Sequence, residues 1–456
     1  MTVDIIIIGT GQAAVPLATR LAAAGKRMLV VERGELGGTC TNTGCTPTKT
    51  MIASARAAQV ARTASRLGVE TGEVRVDIRA VVARKEGIVR TWRDGVAKRL
   101  HQAGDRLTLR LGHARFVGPR EIEVGGERWK ADTVIVNVGA RPALPRIAGL
   151  ESVPWLDNRR AMELAELPEH LLVLGGGYVG CELGQMFRRF GARVTIIDHA
   201  RHLLGQSDEE VSQALESVFR DEAIALELGA KIRDVKVGAP GVVVSLDGDK
   251  TIAGTHLLAA TGRRPNTDDL GAEAAGIRLD EHGSIVIDDH YRTSAAGVYA
   301  VGDVTAEPQF THVAWDDHRI LFDLLMGRSP RGRAGRHVPY TVFTDPPIAG
   351  VGLTEREAQR QGVAYETATM PFGQIARAIE IDETAGLLKV LIDPSSERVL
   401  GATIMGAEAG ELIHVFVALI QANAPARAIV EAEMVHPTFA EGLQSVLMKL
   451  ERFALS

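Results

Sequence analysis

The chain has 456 residues, with 52 basic and 57 acidic side chains and a formal net charge of −5 at pH 7. At about 150 residues per domain, this length predicts roughly three domains. The charges form no basic stripe, which argues against a nucleic-acid partner. We expect no signal peptide, because the N-terminal segment lacks a cationic lead, and no membrane span, because no run approaches roughly 18 apolar residues. The composition therefore predicts a cytoplasmic globular protein.

The N-terminal segment predicts a strand–helix–strand unit that binds a dinucleotide. An apolar run at residues 4–8, typical of a buried parallel strand, leads into the small residues Gly9, Gly11 and Ala14. In such a unit the first glycine makes the turn, the second lets the backbone approach a pyrophosphate, and the helix N-terminus faces the phosphate charge. Glu32, after the second strand, is placed to accept ribose hydroxyls.

Two of the three cysteines, Cys40 and Cys45, follow this unit, five positions apart. Pro47 is typical of the first helical position, so we expect Cys45 just ahead of a helix N-terminus, where the macrodipole favours a thiolate. The dipole alone contributes about 0.3–1 kcal/mol, less than the roughly 1.4 kcal/mol of one pKa unit. A reactive thiolate would therefore need a further partner. A redox pair is favoured over a structural disulfide or a zinc half-site.

The same unit occurs a second time. A strand at residues 170–174 precedes Gly175, Gly177 and Gly180, and the following helix and strand lead to Asp198. In both copies the spacing from the first glycine to the terminal acid is 23 residues. Two equally spaced copies predict that the protein binds two dinucleotides.

Three further apolar strands end at glycines, where open α/β sheets place their ligands. They lead to Gly139, to Gly262 followed by Arg263, and to Gly302 followed by Asp303.

The C-terminal part has a different pattern. Residues 327–336 are rich in Arg and Gly and predict a linker. From Tyr340 onward, alternating strands and a helix from about Gly410 predict a separate α+β domain. The fold class is therefore α/β, with two Rossmann-like dinucleotide-binding domains and a C-terminal α+β domain.

His436 lies before a proline, which favours an extended backbone at that residue. A helix that starts near Thr438 would place Glu441 one turn away, where its carboxylate could orient the imidazole. An isolated His and Glu pair of this kind usually lies on the protein surface and has no catalytic role. With the cysteine pair present in the chain, a proton-handling dyad is favoured.

Over essentially its whole length, the chain resembles the class I pyridine nucleotide–disulfide oxidoreductases, which include glutathione reductase, lipoamide dehydrogenase and mercuric reductase. The motifs that carry the resemblance are Gly-Gly-Thr-Cys40-x4-Cys45-x-Pro-x-Lys49, Ala-Thr-Gly-Arg263-Arg-Pro-Asn, Val-Gly302-Asp303 and His436-Pro-Thr-x-x-Glu441. Within the family it is most similar to the mercuric-reductase-like and reactive-chlorine-resistance flavoprotein subgroup. Asn137-Val-Gly139, in place of the commoner Ala-Thr-Gly, is one feature of that subgroup.

The resemblance implies an FAD-binding domain in two parts (1–146 and 266–336), an NAD(P)-binding domain (147–265) and a dimerisation domain (337–456). It implies an FAD-dependent NAD(P)H disulfide reductase that works as a homodimer. NADH is favoured over NADPH, because Asp198 would accept the ribose 2′-OH and repel a 2′-phosphate. Against this preference, four basic residues crowd the same strand end: Arg193, His199, Arg201 and His202.

The implied cofactor contacts fall into two sets, and no metal site is expected. The FAD contacts are Gly9, Gly11, Ala14, Glu32, Gly38, Thr39, Lys49, Ala114, Gly139, Gly302 and Asp303. The NAD(P) contacts are Gly175, Gly177, Tyr178, Gly180, Asp198, Gly262 and Arg263.

The resemblance also implies catalytic roles. Cys45 would lie against the flavin as the charge-transfer thiolate, and Cys40 would be the interchange thiol that attacks the acceptor. Lys49 would sit near the reactive flavin nitrogen, paired with Glu182, and Tyr178 would gate the nicotinamide pocket.

His436, oriented by Glu441, would act as the acid–base group from the partner subunit. The third cysteine, Cys181, is expected to be an inert packed residue.

The expected acceptor is a small disulfide or related oxidised thiol compound rather than Hg(II). Mercuric reductases deliver the metal through a cysteine pair in the C-terminal tail, and residues 448–456 contain none. Three alternatives remain open: direct reduction of Hg(II) or Cu(II), a role as the lipoamide dehydrogenase component of a multienzyme complex, and a flavin-loaded redox sensor.

Overall fold

The structure is a computed structural model that describes residues 1–328 and 331–454. Residues 329–330 of the predicted linker and residues 455–456 of the C-terminal tail lie outside the described residues. The described chain divides into two compact units, of residues 1–50, 82–143 and 262–336 and of residues 51–81, 144–261 and 337–456.

In chain order the strands are β1 (Thr2–Ile8), β2 (Met28–Glu32), β3 (Leu107–Leu111), β4 (Arg115–Gly118), β5 (Glu121–Val124), β6 (Glu127–Val136), β7 (Ala140–Pro142), β8 (Trp155–Leu156), β9 (His170–Leu174), β10 (Arg193–Ile197), β11 (Ala225–Glu227), β12 (Ile232–Gly238), β13 (Gly241–Leu246), β14 (Thr251–Gly254), β15 (His256–Ala259), β16 (Arg263–Pro265), β17 (Val298–Ala300), β18 (Tyr340–Val342), β19 (Ile348–Gly352), β20 (Glu366–Pro371), β21 (Leu387–Ile392) and β22 (Val399–Met405). The α-helices are α1 (Ala14–Ala23), α2 (Gly38–Asn42), α3 (Cys45–Thr63), α4 (Ile78–His101), α5 (Asn158–Met162), α6 (Tyr178–Phe190), α7 (Glu209–Asp221), α8 (Thr311–Leu325), α9 (Glu355–Gln361), α10 (Ala376–Glu380), α11 (Ala409–Ala422), α12 (Arg427–Val430) and α13 (Glu441–Leu447).

The first unit contains a parallel sheet with strands in the order β3-β2-β1-β6-β17, and β6 also pairs with an antiparallel extension formed by β5 and β4. Alternate residues of β1 pack into different cores: Ile5 and Ile7 join the core that contains α1 and α8, and Ile6 and Ile8 join the core that contains Phe116. Both faces of the strand are buried, which explains its continuous apolar sequence.

The second unit contains the other dinucleotide-type sheet, with parallel strands in the order β11-β10-β9-β15-β8. It also contains a C-terminal antiparallel sheet in the order β18-β19-β22-β21-β20. Helices α11 and α13 pack on this sheet through buried side chains such as Ile413, Phe416 and Leu443. The architecture is the predicted α/β class, with two dinucleotide-type sheets and a C-terminal α+β domain.

Several boundaries near the predicted site differ from expectation. Helix α3 begins at Cys45 rather than at Pro47, because the Thr48 N–H donates to the Gly44 carbonyl (3.1 Å) and closes a helical turn there. Pro47 therefore lies in the first turn, where its missing N–H leaves no bond unmade. Helix α13 begins at Glu441, three residues later than expected.

Residues 51–81, which are predicted to belong to the FAD-binding domain, make most of their contacts with the second unit. Two basic side chains of this segment make such contacts. Arg56 forms ion pairs with Asp345 (2.7 Å) and Glu383 (2.6 Å), and Arg62 donates to the Arg189 carbonyl.

Within residues 1–328 and 331–454, no helix is both long and apolar enough to cross a membrane.

Candidate active site

The first glycine-rich loop joins β1 to α1 in a tight turn. Gly9 has a positive φ of 100°, and a Cβ atom there would lie 2.3 Å from the Asn137 carbonyl oxygen. A Cβ on Gly11 would lie 2.7 Å from Asn137 Oδ1. Only glycine fits at these two positions. The loop thereby presents the N-terminus of α1, which begins at Ala14, at the end of the parallel sheet.

Glu32, at the end of β2, is held by backbone and hydroxyl donors. Its Oε2 accepts hydrogen bonds from Thr10 N–H (2.9 Å) and Thr10 Oγ1 (2.6 Å), and its Oε1 accepts from Gly34 N–H (2.9 Å). Thr10 Oγ1 also accepts from Gly37 N–H (3.1 Å). Thr10 therefore connects the predicted ribose-binding acid to the segment that carries the cysteines.

That segment lies directly against the first loop. Gly38 begins α2, and a Cβ added to it would lie 2.9 Å from Gly11 Cα. Gly38 and the following Thr39 are therefore neighbours of the loop, as the predicted FAD contacts require.

The end of β17 contributes the predicted acid of the first unit. Gly302 has φ +71°, and its N–H donates to Asp317 Oδ2 (2.9 Å). Asp303 follows, and burial raises the pKa of its carboxyl group. Arg263 Nη2 is 3.3 Å from Asp303 Oδ2 and also donates to the Ala140 carbonyl (2.7 Å).

Arg263 was predicted to contact the nicotinamide nucleotide. In the structure its side chain contacts the predicted FAD residue Asp303, and Gly262 and Arg263 both belong to the first unit, so the nicotinamide contact of these two residues stays a prediction. The other three predicted FAD residues are in the same unit: Lys49 is on α3, Ala114 is buried, and Gly139 accepts a hydrogen bond from Asn266 N–H (3.0 Å).

The two cysteines lie on the consecutive helices α2 and α3, within the first unit, and no disulfide joins them in this structure. Cys40 is on α2 and half-buried, and Cys45 is the first residue of α3 and exposed. Cys45 Sγ is 3.3 Å from Thr311 Oγ1. Thr311 is the first residue of α8, so the N-terminus of a second helix faces this sulfur.

The environment of the pair determines which sulfur keeps a proton. The hydrogen bond with Cys45 raises the pKa of the Cys40 thiol, and burial and the negative charge of Cys45 raise it further. Thr311 and the charge of Lys49 oppose this shift. The raised pKa means that Cys40 keeps its proton to higher pH, which is the behaviour expected if Cys45 has the predicted thiolate role.

The second glycine-rich loop repeats this geometry in the second unit. Gly175 has φ +106°, and a Cβ there would lie 2.5 Å from the Ala260 carbonyl oxygen. A Cβ on Gly180 would lie 1.9 Å from the Gly175 carbonyl oxygen. Gly177 is the N-cap of α6, and Tyr178 begins that helix with its ring exposed.

Asp198 closes this loop from the end of β10. Its Oδ2 accepts a hydrogen bond from Gly176 N–H, and its Oδ1 accepts one from Ala200 N–H (2.8 Å). Of the four basic residues expected beside it, His199 is in contact, with Nδ1 3.0 Å from Asp198 Oδ1. Arg193 begins β10 at the opposite end of the strand, and His202 pairs with Glu216 (3.1 Å).

Three residues of α6 hold a loop that precedes β19. Buried Glu182 accepts a hydrogen bond from Phe343 N–H (2.9 Å), and Gln185 accepts one from Asp345 N–H (2.8 Å). Arg189 completes the set with an ion pair to Asp345. The predicted pairing of Glu182 with Lys49 stays a prediction.

His436 and Glu441 are hydrogen-bonded in the second unit. His436 Nδ1 is 3.0 Å from Glu441 Oε1, and Thr438 N–H donates to Glu441 Oε2 (2.9 Å). The backbone hydrogen bond and the imidazole both lower the pKa of Glu441. The His436 side chain is 70% exposed, so its other nitrogen can reach a group outside this domain.

Sequence reasoning missed four residues of the site: Thr10, Asn137, Thr311 and Asp317. The contacts of Asn137 and Thr311 join segments that are more than 100 positions apart in sequence, while those of Thr10 and Asp317 span 15 to 27 positions and depend on how loops fold back. Only Asn137 left a sequence signal, as a departure from the commoner Ala-Thr-Gly motif.

The arrangement fits two dinucleotides. Each loop has glycines at positions where a Cβ would collide with backbone or side-chain atoms, a helix N-terminus for phosphate charge, and an acid at the following strand end. In the described part of the chain, no group of three or more His, Cys, Asp or Glu side chains is arranged to hold a metal ion.

Family models cover most of the chain. Residues 3–317 match the model described as pyridine nucleotide-disulphide oxidoreductase, and residues 338–447 match the dimerisation domain of the same family.

Curated relatives match over nearly the full length. The chain is 35% identical over 460 residues to a dihydrolipoyl dehydrogenase of Thermus scotoductus, and the aligned region covers 100% of this chain and 98% of the relative. It is 33% identical over 454 residues to a mercuric reductase of Lysinibacillus sphaericus, and this aligned region covers 98% of this chain and 83% of the relative. A solved Cu(II) complex of the HOCl-induced flavoprotein disulfide reductase RclA from Escherichia coli has a TM-score of 0.91 at 31% identity, over 99% of this chain and 100% of that chain.

The thiol environment predicts an order of alkylation in the reduced protein after removal of FAD. At neutral pH, iodoacetamide should label exposed Cys45 before Cys40, because the raised pKa keeps Cys40 protonated. Labelling of Cys40 should begin only at higher pH, and Cys45→Ser should move that onset to lower pH. Peptide mass spectrometry across a pH series measures both effects.

Buried Cys181 is the internal control, since burial raises the pKa of its thiol and shields it from the reagent. Labelling of Cys40 first at neutral pH, with no change in Cys45→Ser, would contradict the description of the pair.

Proposed function

The chain belongs to the pyridine nucleotide-disulphide oxidoreductase family, and from this premise we propose that it reduces a small disulfide or related oxidised thiol compound through Cys40 and Cys45. Members of the family are oxidoreductases that use FAD and NAD(P)H, and this chain is one of them. The observation that carries the proposal is the hydrogen-bonded thiol pair in the same unit as the first dinucleotide loop.

The first loop, the α2 segment and the end of β17 would hold FAD, and the second loop would hold the nicotinamide nucleotide. When bound at its site, FAD would supply a hydride acceptor and a two-electron donor for the cysteine pair. Three features of the chain support a role of Cys45 beside the flavin: its exposure, the facing Thr311 hydroxyl and the proton held on Cys40. Cys40 is then the sulfur that meets the acceptor.

Disulfide exchange completes the reaction with a balance of atoms and electrons. His436 takes the proton held on Cys40, and the Cys40 thiolate attacks one sulfur of the acceptor, which forms a mixed disulfide and releases the first thiolate. The Cys45 thiolate then attacks Cys40, re-forms the Cys40–Cys45 disulfide and releases the second. Each released thiolate takes a proton, so the acceptor disulfide gains two electrons and two protons in total. The first proton comes from His436, held by Glu441.

We assign His436 to the site of the partner subunit in a homodimer. The family's dimerisation domain contains the dyad. Helix α11 of the same domain buries Ile413 and Phe416 but leaves Leu412, Val415, Leu419 and Ile420 partly exposed. An apolar helix with such an uncovered side is typical of an interface between subunits.

Direct reduction of a metal ion is the second candidate function. Its support comes from relatives: mercuric reductases match the chain, and RclA forms a Cu(II) complex, as does a cysteine-to-serine mutant of RclA. Protonation distinguishes the two candidates, since a departing thiolate takes up a proton and a reduced metal ion does not. The His436–Glu441 dyad therefore favours the disulfide.

The first prediction of this proposal compares His436→Gln with wild type on the two acceptor classes. Disulfide reduction, including that of lipoamide, should fall by roughly 10²–10⁴-fold, because the general acid is lost. Reduction of Cu(II) or Hg(II) should change little. Steady-state oxidation of NADH with each acceptor measures the difference.

Exposed His282→Gln is the matched control and should leave both activities unchanged. Mixing inactive Cys40→Ser subunits with His436→Gln subunits should restore part of the disulfide activity through hybrid dimers. A wild type that ignores every disulfide yet reduces metal ions as fast as the mutant would refute the proposal.

The second prediction is a preference for NADH. The carboxylate of Asp198 is fixed toward the second loop by two backbone N–H groups, where it can accept a ribose 2′-OH and repel a 2′-phosphate. Asp198→Asn should reduce the preference, and Arg193→Gln should not, because Arg193 lies at the other end of β10. A kcat/KM for NADPH tenfold or more above that for NADH, about 1.4 kcal/mol, would contradict this assignment.

A further inference from the structure

The side chain of Asn137 connects two segments that are separated by almost 300 positions. Its Oδ1 accepts a hydrogen bond from Ala14 N–H at the start of α1 (3.3 Å), and its Nδ2 donates to the Val301 carbonyl (2.9 Å). Ala14 follows the first glycine loop, and Val301 immediately precedes Gly302 and Asp303. We propose that Asn137 is a positioning residue that fixes the first glycine loop relative to the Gly302–Asp303 segment, so that both hold one FAD molecule.

The bonded groups need this partner. Ala14 N–H belongs to the first turn of α1, where backbone donors have no partner inside the helix. Asn137 is itself only 7% exposed, so few water molecules can replace its amide. A buried backbone donor or acceptor that loses its hydrogen bond lowers the stability of the fold. The first glycine loop and the Gly302–Asp303 segment therefore both depend on the Asn137 side chain.

The backbone of Asn137 is fixed as well. Its N–H donates to the Ile8 carbonyl (2.8 Å), and the N–H of Val301 donates to the Val136 carbonyl (3.0 Å). The side chain therefore extends from a rigid position at the end of β6. Backbone pairing with β6 fixes β1 and β17 on either side of it, and the two side-chain hydrogen bonds fix the segments that follow these strands.

The Asn137 amide leaves no room for a side chain at two glycines of the predicted FAD site. A Cβ on Gly11 would lie 2.7 Å from Asn137 Oδ1, and a Cβ on Gly302 would lie 2.9 Å from Asn137 Nδ2. One of these glycines belongs to each segment. The amide is thus packed between both segments in addition to its hydrogen bonds, and an alanine at position 137, as in the commoner motif, would leave this space unfilled.

The inference rests on the FAD site of the proposed function, and FAD affinity of the holoenzyme tests it. Asn137→Ala should raise the Kd for FAD about tenfold or more, which corresponds to about 1.4 kcal/mol. Asn137→Leu, which keeps the volume without the hydrogen bonds, should raise it at least as much. Fluorescence of FAD released on dilution of each holoenzyme measures the Kd, and if the leucine variant does not fold, the alanine variant alone decides.

Thr195→Val is the matched control. Thr195 is a buried residue of β10 whose hydroxyl is 2.9 Å from His170 Nε2, so the variant also loses a buried hydrogen bond. It lies in the other unit and should leave the Kd for FAD unchanged, even where it lowers the melting temperature.

A double-mutant cycle adds a readout that general destabilisation does not predict. Gly11→Ala should weaken FAD binding at least about threefold less in the Asn137→Ala background than in wild type, since the added Cβ no longer meets the amide. An unchanged Kd in Asn137→Ala, or strictly additive effects in the cycle, would overturn the assignment while leaving the proposed function intact. A wild type that binds no FAD would instead refute the proposed function.

Discussion

The hydrogen bond between Cys40 and Cys45 joins the short helix α2 to the first residue of α3, and the proposed redox chemistry depends on which sulfur keeps a proton. The raised pKa of Cys40 favours the proton on that thiol, while the sulfur that begins α3 faces the Thr311 hydroxyl at the start of α8. A dipole at one helix terminus is too weak to select a thiolate alone. Here two helix termini and the neighbouring thiol act on the same sulfur.

The surrounding fold holds the cysteine segment against the predicted FAD site. Gly38 packs on Gly11, and Thr10 hydrogen-bonds both Glu32 and the Gly37 N–H, so the cysteine segment and the first glycine loop form one packed body. Asp317 and Asn137 add the end of β17 to it. The hydrogen-bonded pair His436 and Glu441, in contrast, belongs to the other compact unit and the dimerisation domain, and its imidazole is exposed.

Local patterns predicted much of this arrangement. The two loops followed from glycine spacing, the buried strands from continuous apolar runs, and the contact between His436 and Glu441 from their separation in sequence. The short helix α2 was not predicted from the sequence, because five residues that include a glycine give little periodic signal. The contacts of Thr311 with Cys45 and of Arg263 with Asp303 were not predicted either, because they depend on tertiary packing that brings distant strand and helix ends together. The site roles themselves stay predictions, since geometry alone does not test them.

The absorption spectrum of the flavin tests the central claim, that Cys45 is the thiolate beside the flavin and Cys40 the exchanging thiol. Two-electron reduction of wild type should produce long-wavelength charge-transfer absorbance. Cys40→Ser should show this absorbance before any reduction, because its remaining thiol cannot enter the disulfide, and Cys45→Ser should lack it in every state. Charge-transfer absorbance that survives in Cys45→Ser and disappears in Cys40→Ser would contradict the account.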